Sequence, residues 1–155
     1  MARAFMKITD ISGNSKISGY EGWIELDSMD LGVDRNIAMR VGTSSNREAT
    51  LPALSQITIT KLMDQSSNQL FAAACGNKKS LGTVDIHVCT NGPDYKPFVK
   101  YTFENAMAAS HHQAMAGSSM PSEAFSMAYT KVTQSYVDHG SSFITGYDLQ
   151  TAKTI

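Results

Sequence analysis

A chain of 155 residues with 42% hydrophobic content is long enough to build one domain around a substantial core, and it is too apolar to be disordered. Its formal net charge of −1 leaves no cationic surplus to neutralise phosphates, so the composition disfavours nucleic-acid binding. The first ten residues lack the apolar stretch of a cleavable signal peptide, and no apolar run is long enough to span a membrane. We therefore expect a single domain over residues 1–155, without membrane insertion.

Alternation of apolar and polar residues predicts β-strands along most of the chain. The clearest alternating segments are residues 5–10, 23–27, 29–33, 57–60, 84–88, 99–104, 125–130 and 132–136. The apolar side changes parity near Ser28 and again after Tyr129. A bulge near Ser28 would explain the first change and would bend the strand. Long, bent, two-faced strands favour a barrel or a sandwich over a flat open sheet.

One short helix is predicted between Asp64 and Gly76. Ser66 and Gln69 have the spacing of a capping box, and Gly76 is a typical residue for ending a helix. The apolar positions at helical spacing are Leu70, Phe71, Ala74 and Cys75.

The strand pattern stops between Asp34 and Leu54. Connections longer than about 12–15 residues without secondary structure are uncommon in compact domains, and they tend to be functional or disordered. This segment mixes Ile37, Met39 and Val41 with charged residues, so we interpret it as an extended loop that contacts a partner.

Catalytic signatures are absent from the sequence. It contains no glycine-rich phosphate loop, no Gly-x-Ser-x-Gly elbow and no His-Glu-x-x-His. The sharpest metal candidate is His111–His112, with His139 and Asp138 as further ligands, but neighbours on a strand point to opposite faces. A solvated pair at a strand end is the simpler interpretation. We expect no catalytic residue, no cofactor and no metal.

Other polar candidates have equally simple interpretations. Glu25 and Asp27 share a strand face and could form an acid–base pair, although surface acids explain them more simply. His87 is expected on the outward face of its strand. Cys75 and Cys89 are interpreted as small buried thiols in a reducing compartment.

Trp23 lies on the polar face of its predicted strand. A large aromatic side chain there is typical of a contact with another subunit. Cover by the nearby loop is an equally good explanation, and the sequence leaves both open.

The chain resembles the Hcp family, whose members form the tube of the bacterial type VI secretion system. The similarity covers nearly the whole chain, in five segments that carry the family's order and spacing. These segments are Met6–Ser15, Gly22–Leu26, Lys61–Leu70, Pro121–Lys131 and Gly146–Leu149. The chain departs from the family's commoner residues at Asn14, Asn68 and Tyr147.

The resemblance implies a mainly β fold: a small β-barrel of two sheets, with one short α-helix at its side and a long extended loop at about residues 34–54. It implies six copies closed into a ring, rings stacked into a hollow tube, and export beneath a spike protein (VgrG) with effectors inside and a sheath outside. Made in the bacterial cytoplasm, such a protein leaves the cell without a cleavable signal peptide. The loop residues implied in ring stacking are Gly42, Thr43, Ser44, Ser45, Asn46, Arg47 and Glu48.

Two other functions are compatible with the residues. One is a monomeric β-barrel binding module for a small ligand or a glycan, and the other is a hydrolase whose Ser, His and Asp meet only in the folded chain. Light scattering separates the first from a ring, and a serine-reactive probe tests the second.

Overall fold

The structure is a computed structural model that describes residues 2–37, 51–77, 80–92, 95–138 and 140–155. Within these ranges the chain forms β-strands and one short helix. In chain order they are β1 (Ala2–Ile8), β2 (Ile24–Leu26), β3 (Ser28–Asp30), β4 (Val33–Asp34), β5 (Ala53–Leu54), β6 (Ile57–Leu62), α1 (Ser67–Ala74), β7 (Gly82–Thr90), β8 (Pro97–Ala114), β9 (Ser122–Ala128), β10 (Lys131–Asp138), β11 (Ser141–Asp148) and β12 (Lys153–Thr154).

Apart from β4 and β5, which pair with each other, the described strands form two antiparallel sheets that share the long strand β8. The first sheet has the order β12-β11-β10-β8-β7-β1-β2, and the second has the order β3-β6-β9-β8. The mainly β class with one short helix is confirmed. The strand ladders do not close into a complete barrel, because β2 pairs with β1 while the next strand, β3, pairs with β6.

The parity change near Ser28 marks a corner where the chain passes from one sheet to the other. β2 ends at Leu26, the Asp27 N–H donates to the Thr60 carbonyl over 2.8 Å, and β3 begins at Ser28. The predicted bulge is therefore replaced by a change of sheet. The second parity change, after Tyr129, also marks a change of sheet. The strands β9 and β10 pair with different parts of β8, on either side of its bend.

The bend of β8 lies at Asn105, whose φ of 52° falls in the left-handed region. Asn is the non-glycine residue that adopts this conformation most readily. Its side-chain amide donates to the Thr130 hydroxyl over 3.1 Å, and the Thr130 N–H donates to the Glu104 carbonyl over 3.0 Å. These hydrogen bonds join the bend of β8 at Asn105 to the connection between β9 and β10 at Thr130.

We expect Asn105→Ala to lower the free energy of unfolding by about 1–2 kcal/mol, because alanine is strained in the left-handed conformation and has no amide donor. Asn105→Gly also lacks the amide donor, but glycine adopts the left-handed conformation without strain. Urea unfolding should therefore rank the glycine variant above the alanine variant. The reverse order would show that the backbone conformation at residue 105 carries no such cost.

The main core lies between the two sheets, and the apolar residues of the predicted alternating strands fill it. Alternate residues of facing strands are fully buried, which is the arrangement that removes the most apolar area from water. They include Met6, Ile24, Ile57, Ile59, Ile86, Phe103, Phe125 and Met127.

Helix α1 packs on the core through Leu70 and Ala73, which are one turn apart and both buried. Gly76 follows with a φ of 95°, as predicted for a helix end. The capping-box prediction is wrong, because the Ser66 side chain makes no cap hydrogen bond to the helix and instead bonds to Asp64. The predicted apolar stripe is also partly wrong, because Phe71 and Cys75 are exposed.

Candidate functional site

The ends of the Asp34–Leu54 segment are held together by a two-stranded ribbon. Strands β4 and β5 pair through Val33 with Leu54 and Asp34 with Ala53. The predicted stacking residues, Gly42 to Glu48, lie outside the described residues. The ribbon therefore fixes where the segment leaves and rejoins the domain.

An apolar groove of about 590 Å³ lies between this ribbon and the β10–β11 hairpin. Leu31, Val33 and Leu54 line it from the side of the ribbon, and Val132 and Tyr147 line it from the hairpin. Val33 is 62% exposed, so the groove is open to solvent. The sequence pattern predicted the strands of this groove, but their long-range juxtaposition could not be read from it.

Trp23 is half-buried by residues of its own chain. Its ring lies 4.8 Å from the ring centroid of Tyr20 and 4.8 Å from that of His87. The Lys7 ammonium lies 5.9 Å above its ring centroid. Cover by the nearby loop therefore accounts for this residue within the monomer. A contact of Trp23 with another subunit stays a prediction.

Tyr20 belongs to a second, smaller core on the outer face of the first sheet. Phe5 and Cys89 are fully buried there, and the Tyr20 ring stacks on Phe5 at 4.6 Å. Burial raises the pKa of the Tyr20 hydroxyl and of the Cys89 thiol. This cluster could not be predicted from the sequence, because Tyr20 lies in a loop that has no strand or helix period.

His87 lies on the outward strand face, as predicted, but it is partly buried beneath Tyr20 and Trp23. Its Nδ1 is 3.0 Å from the Tyr20 hydroxyl oxygen. Desolvation and the nearby Lys100 ammonium lower the pKa of His87, and Asp85 opposes this shift. The imidazole is therefore held in its neutral form.

The acids Glu25 and Asp27 are exposed, which fits the surface interpretation. Glu25 lies 3.8 Å from Arg3 in an exposed ion pair. The rest of this outer face also carries mixed polar groups, including Lys131 paired with Glu104 at 3.4 Å. The outer face of the first sheet thus combines exposed ion pairs with the small core around Phe5 and Tyr20.

A buried ionic cluster joins the second sheet to the start of α1. The Lys61 ammonium donates to Glu123 Oε2 over 3.0 Å and forms an ion pair with Asp64 Oδ1 at 3.1 Å, and the side chains of Lys61 and Glu123 are 0% exposed. Burial raises the pKa of Glu123, but hydrogen bonds with Ser67 and Lys61 outweigh it, so the pKa lies below its ordinary value. The carboxylate is therefore charged and paired.

His111 belongs to the same cluster, and the solvated-pair interpretation is wrong for it. Its side chain is 1% exposed and its Nε2 lies 3.3 Å from Glu123 Oε2, whereas His112 is exposed. The two histidines point to opposite faces, as strand geometry requires. Among the described residues, no group of three or more His, Cys, Asp or Glu side chains is arranged to hold a metal ion. His139 lies outside the described residues.

The two cysteines differ in their surroundings, and both are free thiols. Cys89 is buried as predicted. Cys75 is exposed at the end of α1, so the prediction of a buried thiol is wrong there. In the part of the chain that the structure describes, no helix has the length and apolarity needed to cross a bilayer.

The fold is that of a mainly β protein with two sheets and one short helix. A family profile described as "Type VI secretion system effector, Hcp" matches residues 5–136. A solved structure described as a type six secretion system protein is 27% identical over 100% of both chains, with a TM-score of 0.91. The crystal structure of Hcp1 from Salmonella typhimurium is 20% identical over 99% of both chains, with a TM-score of 0.84.

A more distant likeness is to the tube terminating cap of the anti-feeding prophage, at 14% identity over 87% of this chain and 89% of that one, with a TM-score of 0.56. No curated protein sequence matches the chain significantly. The chain belongs to the Hcp family of the type VI secretion system. Membership identifies it as a type VI secretion system protein.

Proposed function

We propose that the chain is the building block of a type VI secretion tube, assembling as homo-hexameric rings that stack into a hollow tube and carry effectors out of the cell. The observation that carries this proposal is the family match over residues 5–136, which covers the helix and, in whole or in part, every strand from β1 to β10. The role is structural, without catalysis, and the chain acts as one domain.

The exposed surfaces of the first sheet support this proposal. A closed ring built from one heterologous interface requires each subunit to present two different surfaces to its neighbours. The sheet exposes a polar surface at the Glu104–Lys131 ion pair, and its β10–β11 hairpin exposes the apolar side chains of Tyr136, Phe143 and Ile144. The segment beyond the β4–β5 ribbon supplies the contact between rings.

The partners that follow are copies of this chain, the spike protein (VgrG), secreted effectors and the sheath around the tube. The protein is made in the bacterial cytoplasm and exported by the type VI secretion system. Negative-stain images of purified protein should contain annular particles. A field of small, uniformly solid particles would contradict the proposal.

A deletion of Gly42 to Glu48 should weaken ring stacking while leaving the fold and the ring intact. Of the eighteen residues between Asp34 and Ala53, eleven would remain, enough to connect the paired ends of β4 and β5. Rings and tubes are counted in electron micrographs at matched protein concentration, and a thermal melt checks the fold. A lowered unfolding midpoint, or tubes as abundant as in the wild type, would contradict the assignment of this loop.

The open groove favours a second candidate, a monomeric module that binds an apolar ligand. Its volume of about 590 Å³ lies within the usual range of ligand sites. This candidate requires one chain per particle in solution, whereas the tube subunit requires six. Light scattering therefore decides between them.

A further inference from the structure

The end of the β10–β11 hairpin carries exposed apolar side chains on both of its faces. Tyr136 and Phe143 lie directly opposite each other, on the face that also carries Val132 and Tyr147 of the apolar groove. Ile144 is the next residue along β11 and points to the other face. Tyr136, Phe143 and Ile144, here called the hairpin end, are 44%, 62% and 65% exposed. Strands that are apolar on both faces are typical of strands that are covered on both.

The outer edge of β11 is also free over most of its length. Among the residues that the structure describes, this edge pairs with β12 only at Tyr147 and Asp148, and the Gly146 carbonyl accepts from the Ile155 N–H over 2.9 Å. From residue 141 to residue 145 the strand contains no charged residue and no proline, which are usual protections of an exposed edge. The hairpin end therefore has the character of a contact surface.

The opposite end of the same sheet is closed by the chain itself. The N–H groups of Gly13 and Ser15 donate to the carbonyls of Gly22 and Trp23, over 2.8 and 3.1 Å, so residues 13–15 run beside β2. The sheet of one copy therefore cannot simply continue from its β11 into the β2 of another copy. A different surface has to receive the hairpin end.

The apolar groove is a surface that suits this role. Leu31, Val33 and Leu54 line it on the side of the β4–β5 ribbon, and its volume is about 590 Å³. Its charged lining residues, Asp34 and Arg35, have opposite signs, so the groove has no net charge to exclude an apolar partner. Apolar pockets that accept aromatic and aliphatic side chains are typical of the centre of protein interfaces.

We propose that the hairpin end of one copy inserts into the apolar groove of the next copy, and that this contact joins the subunits of the ring. The inference rests on the proposed ring of identical chains. A contact that closes into a ring uses two different surfaces of every subunit. The hairpin end and the groove are two such surfaces on one chain. Insertion removes Phe143, Ile144 and Val33 from water together, and none of these three residues brings a charge into the contact.

Single substitutions on either surface should break the ring. Ile144→Asp in the hairpin end and Val33→Asp in the groove each place a charge in the contact, so light scattering should report one chain in place of six. Both residues are exposed within one chain, so circular dichroism and the thermal midpoint should match the wild type. Leu51→Asp, at a groove residue that is 71% exposed, is a second variant of the groove. The matched control is Met120→Asp, at a 61% exposed residue between β8 and β9, which should keep six chains.

A mixture of the two variants tests the pairing itself. The Ile144→Asp chain keeps its groove, and the Val33→Asp chain keeps its hairpin end, so one intact contact can form between them. At high protein concentration an equimolar mixture should contain a species of two chains, which neither variant forms alone. A contact between two hairpin ends, or between two grooves, would not be restored by mixing.

The outcomes separate this contact from the proposed function. If the wild type and both folded variants have six chains, the contact is wrong and the tube subunit stands. If each variant has one chain and their mixture also stays at one chain, the pairing of hairpin end with groove is wrong. A wild type that has one chain at every concentration would overturn both proposals.

Discussion

Lys61→Met should lower the free energy of unfolding by about 3–5 kcal/mol, because it leaves a fully buried carboxylate without its cation. The Lys61 and Glu123 side chains are 0% exposed and bonded at 3.0 Å, and the same ammonium also holds Asp64 at the entrance to α1. Loss of the cation therefore strains the second sheet and the helix start together. Urea unfolding monitored by circular dichroism gives the difference.

The matched control is Lys131→Met. Lys131 and Glu104 also form an ion pair, at 3.4 Å, but their side chains are 36% and 44% exposed. Exposed pairs contribute about 0–1 kcal/mol, so this variant should stay close to the wild type. The double variant Lys61→Met, Glu123→Leu should recover part of the loss, because no buried charge is then left alone. Equal losses in the two single variants would contradict the role given to burial.

Gly146→Ala is expected to cost at least about 2 kcal/mol, because an added methyl group has no room between the last two long strands. A Cβ at residue 146 would stand 2.3 Å from the Val132 carbonyl oxygen and 3.1 Å from the Thr133 Cα. Both are backbone atoms of β10, which pairs with β11 at this point, so neither can move without breaking the ladder. Thermal unfolding should show a clear drop in the midpoint.

Gly32→Ala provides the comparison for this change. A Cβ there would meet only the Ser55 hydroxyl oxygen, at an ordinary contact distance of 3.7 Å. The substitution should change stability by less than about 0.5 kcal/mol. If both glycine variants unfold at the same midpoint as the wild type, β10 and β11 do not approach each other closely enough at residue 146 to exclude a methyl group.

The core could be predicted from the sequence because burial on one face of a strand imposes a period of two residues. Ile57 and Ile59, or Phe125 and Met127, alternate with polar neighbours and are all fully buried. The class of fold and the family segments followed from the same local information. The failures at His111 and Tyr20 have a different origin, since each depends on a contact between residues distant in the sequence.

His111 illustrates this limit. The register of β8 against β9 shifts between Ala108 and Ser110, so the inward-facing residues change parity. His111 consequently lies opposite Phe125 and turns inward, where Glu123 and Lys61 make its burial tolerable. No local pattern in the sequence contains that shift.

The packing of Tyr20 could not be predicted for a related reason. Loop residues have no period, and the contacts of Tyr20 with Phe5 and His87 join three separate parts of the chain. The cover of Trp23 by Tyr20, His87 and Lys7 also depends on contacts that the local alternation does not contain. The change of sheet at Asp27 likewise depends on a hydrogen bond to Thr60, which the local alternation does not reveal.

A tube subunit must assemble with copies of itself. Size-exclusion chromatography with light scattering of the purified protein measures this assembly. Six copies of a 16.8 kDa chain correspond to a species of about 101 kDa, and we expect that mass at high protein concentration. A single species with the mass of one chain, unchanged on concentration, would contradict it.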